Sequence, residues 1–258
     1  MPLHYLHRLG GNVRDDRSDR HLGYWLAFVG GAVNAGAFLV IGRYTSHMTG
    51  IVTSVANSLA LGDMALALAA LVAWVAFVIG SATSAILINW ARRRQMHSQY
   101  ALSLLLEAVL LLLFGLAGSH IAEMRDLLAP VTVLMLCFIM GLQNAIITKM
   151  SGYVIRSTHV TGMSTDIGIE LGKMIYLNDE RLHLEPVRAN HSKMMVLTLL
   201  ISYFFLGGVA GALGFKYIGY ATTIVLAVGL TMVAAGPVWQ DLRGLWQVGS
   251  TADSSQHD

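Results

Sequence analysis

Two short strings in this sequence share one chemistry. Ser46-His47-Met48-Thr49-Gly50 and Thr158-His159-Val160-Thr161-Gly162 place a hydroxyl, an imidazole, a second hydroxyl and a glycine in the same order. An imidazole can donate or accept a hydrogen bond, or carry a proton near neutral pH. The Thr-Gly pair precedes a short apolar stretch in both copies, so Thr49 and Thr161 are expected to act as N-caps, each opening a helix. Helix starts carry free N–H groups and partial positive charge, and two of them aimed at one place would receive an anion or a carboxylate. Arg43 and Arg156, a few residues upstream in each copy, add cations on the same approaches. This is binding chemistry. No nucleophile and base set accompanies the histidines, so no catalytic residue and no enzyme are expected. Two histidines without a cysteine cluster or a His-Glu-x-x-His spacing leave a metal site incomplete, and no metal or cofactor is expected either. Capping of non-helical backbone would be duplicated along with the motif, so ligand contact and plain capping both stand as readings.

Other polar residues sit in apolar surroundings. Asn34, Gln143 and Asn144 lie on the apolar stretches that lead into each motif; they either line a shared cavity or bond the loop backbone, as amides readily do. Glu107, in Leu104-Leu-Leu-Glu107-Ala-Val, is the acid nearest the middle of any apolar stretch. A carboxyl there is costly unless it faces a cavity or a partner, which makes Glu107 a candidate proton carrier. Asp166 and Glu170 stand one helical turn apart with Lys173 in reach, whereas the first copy has Ser54 and Ser58 there, so these acids are not part of a shared plan. Cys137 falls in an apolar run and reads as a core residue.

The elements that must position these residues are membrane helices. Of 258 residues, 55% are hydrophobic and 12% charged, too little charge to cover a soluble domain of this size. The net charge of +2 and scattered basic residues offer no nucleic-acid face. Runs of about 20 apolar residues, long enough for a helix to cross about 30 Å of hydrocarbon, give six spans. They are Leu22–Gly42, Met64–Trp90, Tyr100–Gly118, Leu128–Thr148, Met194–Phe215 and Tyr217–Pro237. A polar tail, 1–21, precedes them and another, 238–258, follows, the latter expected to be disordered after Gln247. The first apolar run is too long for a signal-peptide core and is read as a retained span. Ile51–Leu61 and Met163–Tyr176 are apolar but too short to cross. With the N-terminus inside, fourteen of the seventeen Lys and Arg fall on the inner side, leaving only Arg43, Arg125 and Lys216 outside. The positive-inside rule therefore predicts both termini in the cytoplasm.

The plan is written twice. Gly31-Ala-Val-Asn34-Ala35 matches Gly141-Leu-Gln-Asn144-Ala145, the two motifs match, and Phe77-Val-Ile-Gly80 matches Phe204-Phe-Leu-Gly207, with Ser84 and Gly211 in equivalent places. The small residues of Gly80-x-x-x-Ser84 and Gly207-x-x-x-Gly211 predict close helix packing. Repeat one covers about 22–118 and repeat two about 128–237, with three spans each. An odd number reverses the second copy in the membrane, an inverted-topology repeat of the sort many secondary transporters use. The expected fold is thus all-α and polytopic, with a short re-entrant half-helix in each repeat. The expected function is secondary transport of a small solute, anionic or carboxylate-bearing. A channel-like facilitator and a non-transporting scaffold or sensor are the alternatives. The expected partners are the lipid bilayer and the solute, and the sequence is compatible with a homo-oligomer.

The spans, the Gly-x-x-Asn-Ala helix ends, and Ser-His-Met-Thr-Gly paired with Arg-Ser-Thr-His-Val-Thr-Gly resemble the YoaK-like family of bacterial integral membrane proteins, a domain of unknown function, over roughly residues 20 to 237. The resemblance implies a six-helix fold in a bacterial inner membrane and supplies no substrate.

Overall fold

The structure is a computed structural model that describes residues 16–42, 44–96, 98–118, 125–150, 159–178 and 185–254. Every regular element among them is helical: α1 (Asp16–Ile41), α2 (Met48–Ala60), α3 (Met64–Arg93), α4 (Ala101–Leu116), α5 (Arg125–Met150), α6 (Val160–Ile175), α7 (His191–Tyr217), a one-turn 3-10 helix (Gly219–Ala221) and α8 (Thr222–Ser254). Five of them, α1, α3, α5, α7 and the first part of α8, are long and apolar enough to cross a membrane. The chain is an all-helical, multi-pass membrane protein. The expected third span differs: α4 has 16 residues, which reach about 24 Å at 1.5 Å per residue, short of the ~30 Å hydrocarbon layer. The last apolar span, Gly219–Gly236, lies within its expected bounds, but the helix that carries it, α8, continues through Pro237 to Ser254, including residues after Gln247 for which disorder was expected.

Local signals set the helix ends. Asp63 caps α3, its Oδ1 accepting from the Leu66 amide at 3.0 Å, and Asn190 caps α7, its Oδ1 accepting from the Lys193 amide at 2.9 Å. The two caps occupy equivalent places in the two halves. Between α2 and α3 the chain turns through Gly62 at φ +78°, a conformation that costs a side-chain-bearing residue energy. The one-turn 3-10 helix joins the end of α7 at Tyr217 to the start of α8 at Thr222.

The helices pack in pairs drawn from opposite halves: α1 on α7, α5 on α3, and α4 on α8, while α2 lies on α3 and α6 on α7. Half of the apolar stretch of α1 and 56% of that of α5 is buried, against 22% for both α3 and α7, so α1 and α5 sit centrally. Gln143 joins these two, its Nε2 donating to the Leu26 carbonyl at 2.9 Å. The close approaches rest on glycines. A Cβ on Gly31 would strike the Phe204 carbonyl oxygen, and one on Gly141 would strike that of Phe77. Gly80 and Gly207 are likewise seated against the carbonyls of Phe138 and Phe28. All four contacts obey one rule, the same positions in each half meeting the other half's partner. Lipid tails are as apolar as the helix faces, so such backbone-to-backbone contact, rather than hydrophobic burial, holds membrane helices together. The small-residue patterns of α3 and α7 act as expected, and their partners are α5 and α1. Cys137 is fully buried in α5, as expected of a core residue.

Candidate functional site

The two motifs stand at the starts of the two short helices. The N-cap positions are His47 for α2 and His159 for α6, with φ and ψ of −89° and 69° and of −87° and 57°, and neither side chain makes a cap hydrogen bond. The expectation that Thr49 and Thr161 are the caps is therefore corrected. Each lies one turn position inside its helix, where its carbonyl accepts from a following hydroxyl, Thr53 Oγ1 and Thr165 Oγ1, at 2.9 Å. The physical reason lies in the histidine rings. Each folds forward onto the glycine three residues on: a Cβ on Gly50 would meet His47 Nδ1 at 2.6 Å, and one on Gly162 would overlap the His159 ring. Gly50 and Gly162 are thus ring seats. Helix begins at Met48 and Val160 because the backbone amides of Ile51 and Met163 already bond the histidine carbonyls, at 3.1 Å in both cases.

Asn34 fixes the first motif. Its Oδ1 accepts from the Ser46 amide at 3.2 Å and the Ser46 hydroxyl at 2.9 Å. Asn144, in the equivalent place on α5, donates through Nδ2 to the Met140 carbonyl at 2.8 Å. Of the three amides considered from sequence, Asn34 and Asn144 line the site, whereas Gln143 bonds a helix backbone instead.

A cavity of about 780 Å³ lies between the motifs. It brings together Asn34, Ser46, His47, Thr49, Asn144, His159 and Thr161 from the expected set. Both histidines and both threonines are exposed. Arg43, Arg156 and Thr158 lie outside the described residues. Glu107 is placed elsewhere: on α4, fully buried, with neither carboxyl oxygen hydrogen-bonded among the described residues, and it does not line the cavity. A turn before it, Ser103 is bonded by the Ser84 hydroxyl at 3.2 Å, tying α4 to α3.

Sequence reasoning missed part of the wall. Phe77 and Phe204 line the cavity with Tyr44, Ser81, Thr148 and Lys149. The matched Phe-x-x-Gly strings marked Phe77 and Phe204 as equivalent, yet they read as packing. Lys149, counted among the inner-side charges, also lines the cavity, and its Nζ donates to Asn89 Oδ1 at 2.7 Å. Among the described residues, no group of three His, Cys, Asp or Glu is gathered as a metal site.

The second short helix is tied down electrostatically. Glu170 Oε2 accepts from the Asn190 amide at 2.7 Å and Oε1 from Lys173 Nζ at 3.0 Å, and Asp166 pairs with Lys193 at 3.3 Å. The Asn190 amide first, then Lys173, holds the Glu170 carboxyl below its ordinary value of 4.5. Among the described residues the first half has no counterpart to these ties, and a short turn joins α2 to α3 there.

This arrangement of paired membrane helices around a two-motif cavity defines a class by its fold alone. The model of the family described as "Protein of unknown function (DUF1275)" matches residues 22–236, and the chain belongs to that family, in keeping with its YoaK-like resemblance. No curated protein and no solved structure matches the chain.

Proposed function

We propose that the chain is a secondary transporter that carries a small, anionic or carboxylate-bearing solute across the bacterial plasma membrane, binding it in the cavity between the two motifs. One observation carries this reading: the cavity wall is built from the same positions of both halves, Asn34 with Asn144, His47 with His159, Thr49 with Thr161, and Phe77 with Phe204. A site shared by two copies of one unit is what alternating access requires, because each copy can take the other's role. In this reading α4 crosses as the sixth span, its shortness met by local thinning of the bilayer; the halves are then inverted, α2 and α6 are re-entrant half-helices that enter from opposite faces, and both termini are cytoplasmic, as the Lys and Arg bias favours. Non-helical backbone before each half-helix is tolerable at membrane depth because it borders a cavity. The role is transport and not catalysis.

The cavity favours a transported solute over a scaffold or sensor, for which a packed motif region would be expected. Proteoliposome uptake of candidate organic anions tests the reading. Saturable uptake that is lost when His47 and His159 are both replaced by Ala supports it. Unaltered uptake in that double variant removes the proposed site. Flux that rises linearly without saturation supports a channel-like facilitator instead.

A further inference from the structure

The cavity wall is symmetric in its amides, histidines and phenylalanines, and asymmetric in charge. On the α5 side stand Thr148 and Lys149, where the first half has the apolar Phe38 and Leu39. Lys149 is the lysine of the described wall, and no Asp or Glu lines the cavity among the described residues. Its hydrogen-bond partner, Asn89, is neutral, so the contact orients the ammonium and leaves its charge uncancelled. A solute cation would meet repulsion here and no carboxylate. The volume of about 780 Å³ falls in the range of organic-ligand pockets and far exceeds what a bare inorganic ion fills. Phe77, Phe204 and Tyr44 supply apolar surface for the remainder of a ligand.

We infer that the cavity selects an amphipathic organic anion, its carboxylate or equivalent group held by Lys149 and its apolar body lying against Phe77 and Phe204. Asn89 is a positioning residue that aims the ammonium. This rests on the transport reading for the cavity's purpose, and on the wall itself for the class of ligand.

Benzoate and its neutral isostere benzamide are suitable probes, with sulfate as the inorganic control, measured calorimetrically on the full chain in detergent. The expected result is saturable benzoate binding at about 1 mM or tighter, with benzamide and sulfate weaker by about tenfold or more, the usual worth of a charge-assisted hydrogen bond. Lys149→Gln should lower benzoate affinity to that of benzamide, while Lys149→Arg retains the preference. Asn89→Asp, which keeps the lysine but cancels its charge, should lower benzoate affinity about tenfold without affecting benzamide. No saturable benzoate binding, equal binding of the three probes, or an unchanged preference in both Lys149→Gln and Asn89→Asp overturns the inference. The two readings fail separately. Discriminating binding without uptake in proteoliposomes sinks transport and leaves the selectivity standing; uptake with an unchanged preference in Lys149→Gln does the reverse.

Discussion

Asn34 Oδ1 receives two hydrogen bonds from one residue, the amide and the hydroxyl of Ser46, at 3.2 and 2.9 Å. This pair fixes the non-helical approach to α2 against the end of α1, and with it the position of His47. Asn34→Ala leaves both donors to find other partners. Each lost bond is worth about 0.5 to 1.5 kcal/mol, so the variant should lose about 1 to 3 kcal/mol of stability and most of its solute uptake. Thermal unfolding in detergent and proteoliposome uptake measure the two effects, and Asn34→Asp, which keeps an acceptor at the same place, should recover most of the stability.

Gly50 and Gly162 separate a functional role from a stability role. Alanine is the better helix former by about 1 kcal/mol, and what its Cβ meets is a rotatable imidazole rather than backbone. Gly50→Ala and Gly162→Ala should therefore unfold no earlier than wild type, while each displaces a histidine ring from its seat. The expected outcome is an undiminished melting temperature with uptake sharply reduced. Normal uptake in both variants would show that the seated ring orientation has no part in solute handling.

The helix-crossing glycines should behave in the opposite way. A Cβ at Gly31 or Gly141 meets a carbonyl oxygen of the partner helix, which moves only if the whole helix does. Gly31→Ala and Gly141→Ala are each expected to cost about 1 to 3 kcal/mol, the usual penalty for overpacking. Gly168→Ala on α6 is the control, since nothing lies within 4 Å of its Cβ position. It should be neutral or stabilising. Equal losses at all three positions would contradict the packing of α1 on α7 and α5 on α3.

Glu170 makes the tie between α6 and α7 sensitive to acid. Its carboxyl is held below its ordinary value of 4.5 by the Asn190 amide and by Lys173. A depressed carboxyl stabilises the fold fully above its unfolded value and loses that contribution as pH falls through its lower folded value. The melting temperature should thus be level near neutral pH and fall below about pH 4.5. In Glu170→Gln the stability is lower at neutral pH and the acid-side slope is smaller. A slope identical to wild type would show that other carboxylates govern the acid response.

The sequence made much of this legible, and its failures have physical causes. The matched strings around Asn34, Asn144, Gly80 and Gly207 marked positions that do occupy equivalent places, because a close helix crossing admits few residue types. The caps were misplaced because Thr-Gly before an apolar run carries the usual cap chemistry, while a histidine ring seated on a glycine is a tertiary arrangement with no local signature. Lys149 was hidden by its neighbours, since a lysine at the end of an apolar run reads as an interfacial charge until α3 brings Asn89 beside it. The pairing of α1 with α7, α3 with α5 and α4 with α8, each across the two halves, is likewise invisible along the chain. The shortness of α4 was obscured by apolar residues that continue beyond Leu116.

Glu107 is a buried acid that stands apart from the cavity. The carboxyl is fully buried, neither oxygen has a hydrogen-bond partner among the described residues, and the cavity lies elsewhere. An unsatisfied buried polar group costs about 1 to 3 kcal/mol, and Met fills a similar volume without that cost. Glu107→Met should therefore raise the melting temperature, and both Glu107→Met and Glu107→Gln should bind solute as wild type does. If the carboxyl carries the coupling proton, accumulation driven by a pH gradient should collapse in both variants to simple equilibration across the membrane. Gradient-driven accumulation at the wild-type level in both would remove Glu107 from coupling. A fall in solute affinity would show instead that α4 shapes the cavity from a distance. A melting temperature lowered by Glu107→Met would mean that the carboxyl has a structural partner holding α4 in place.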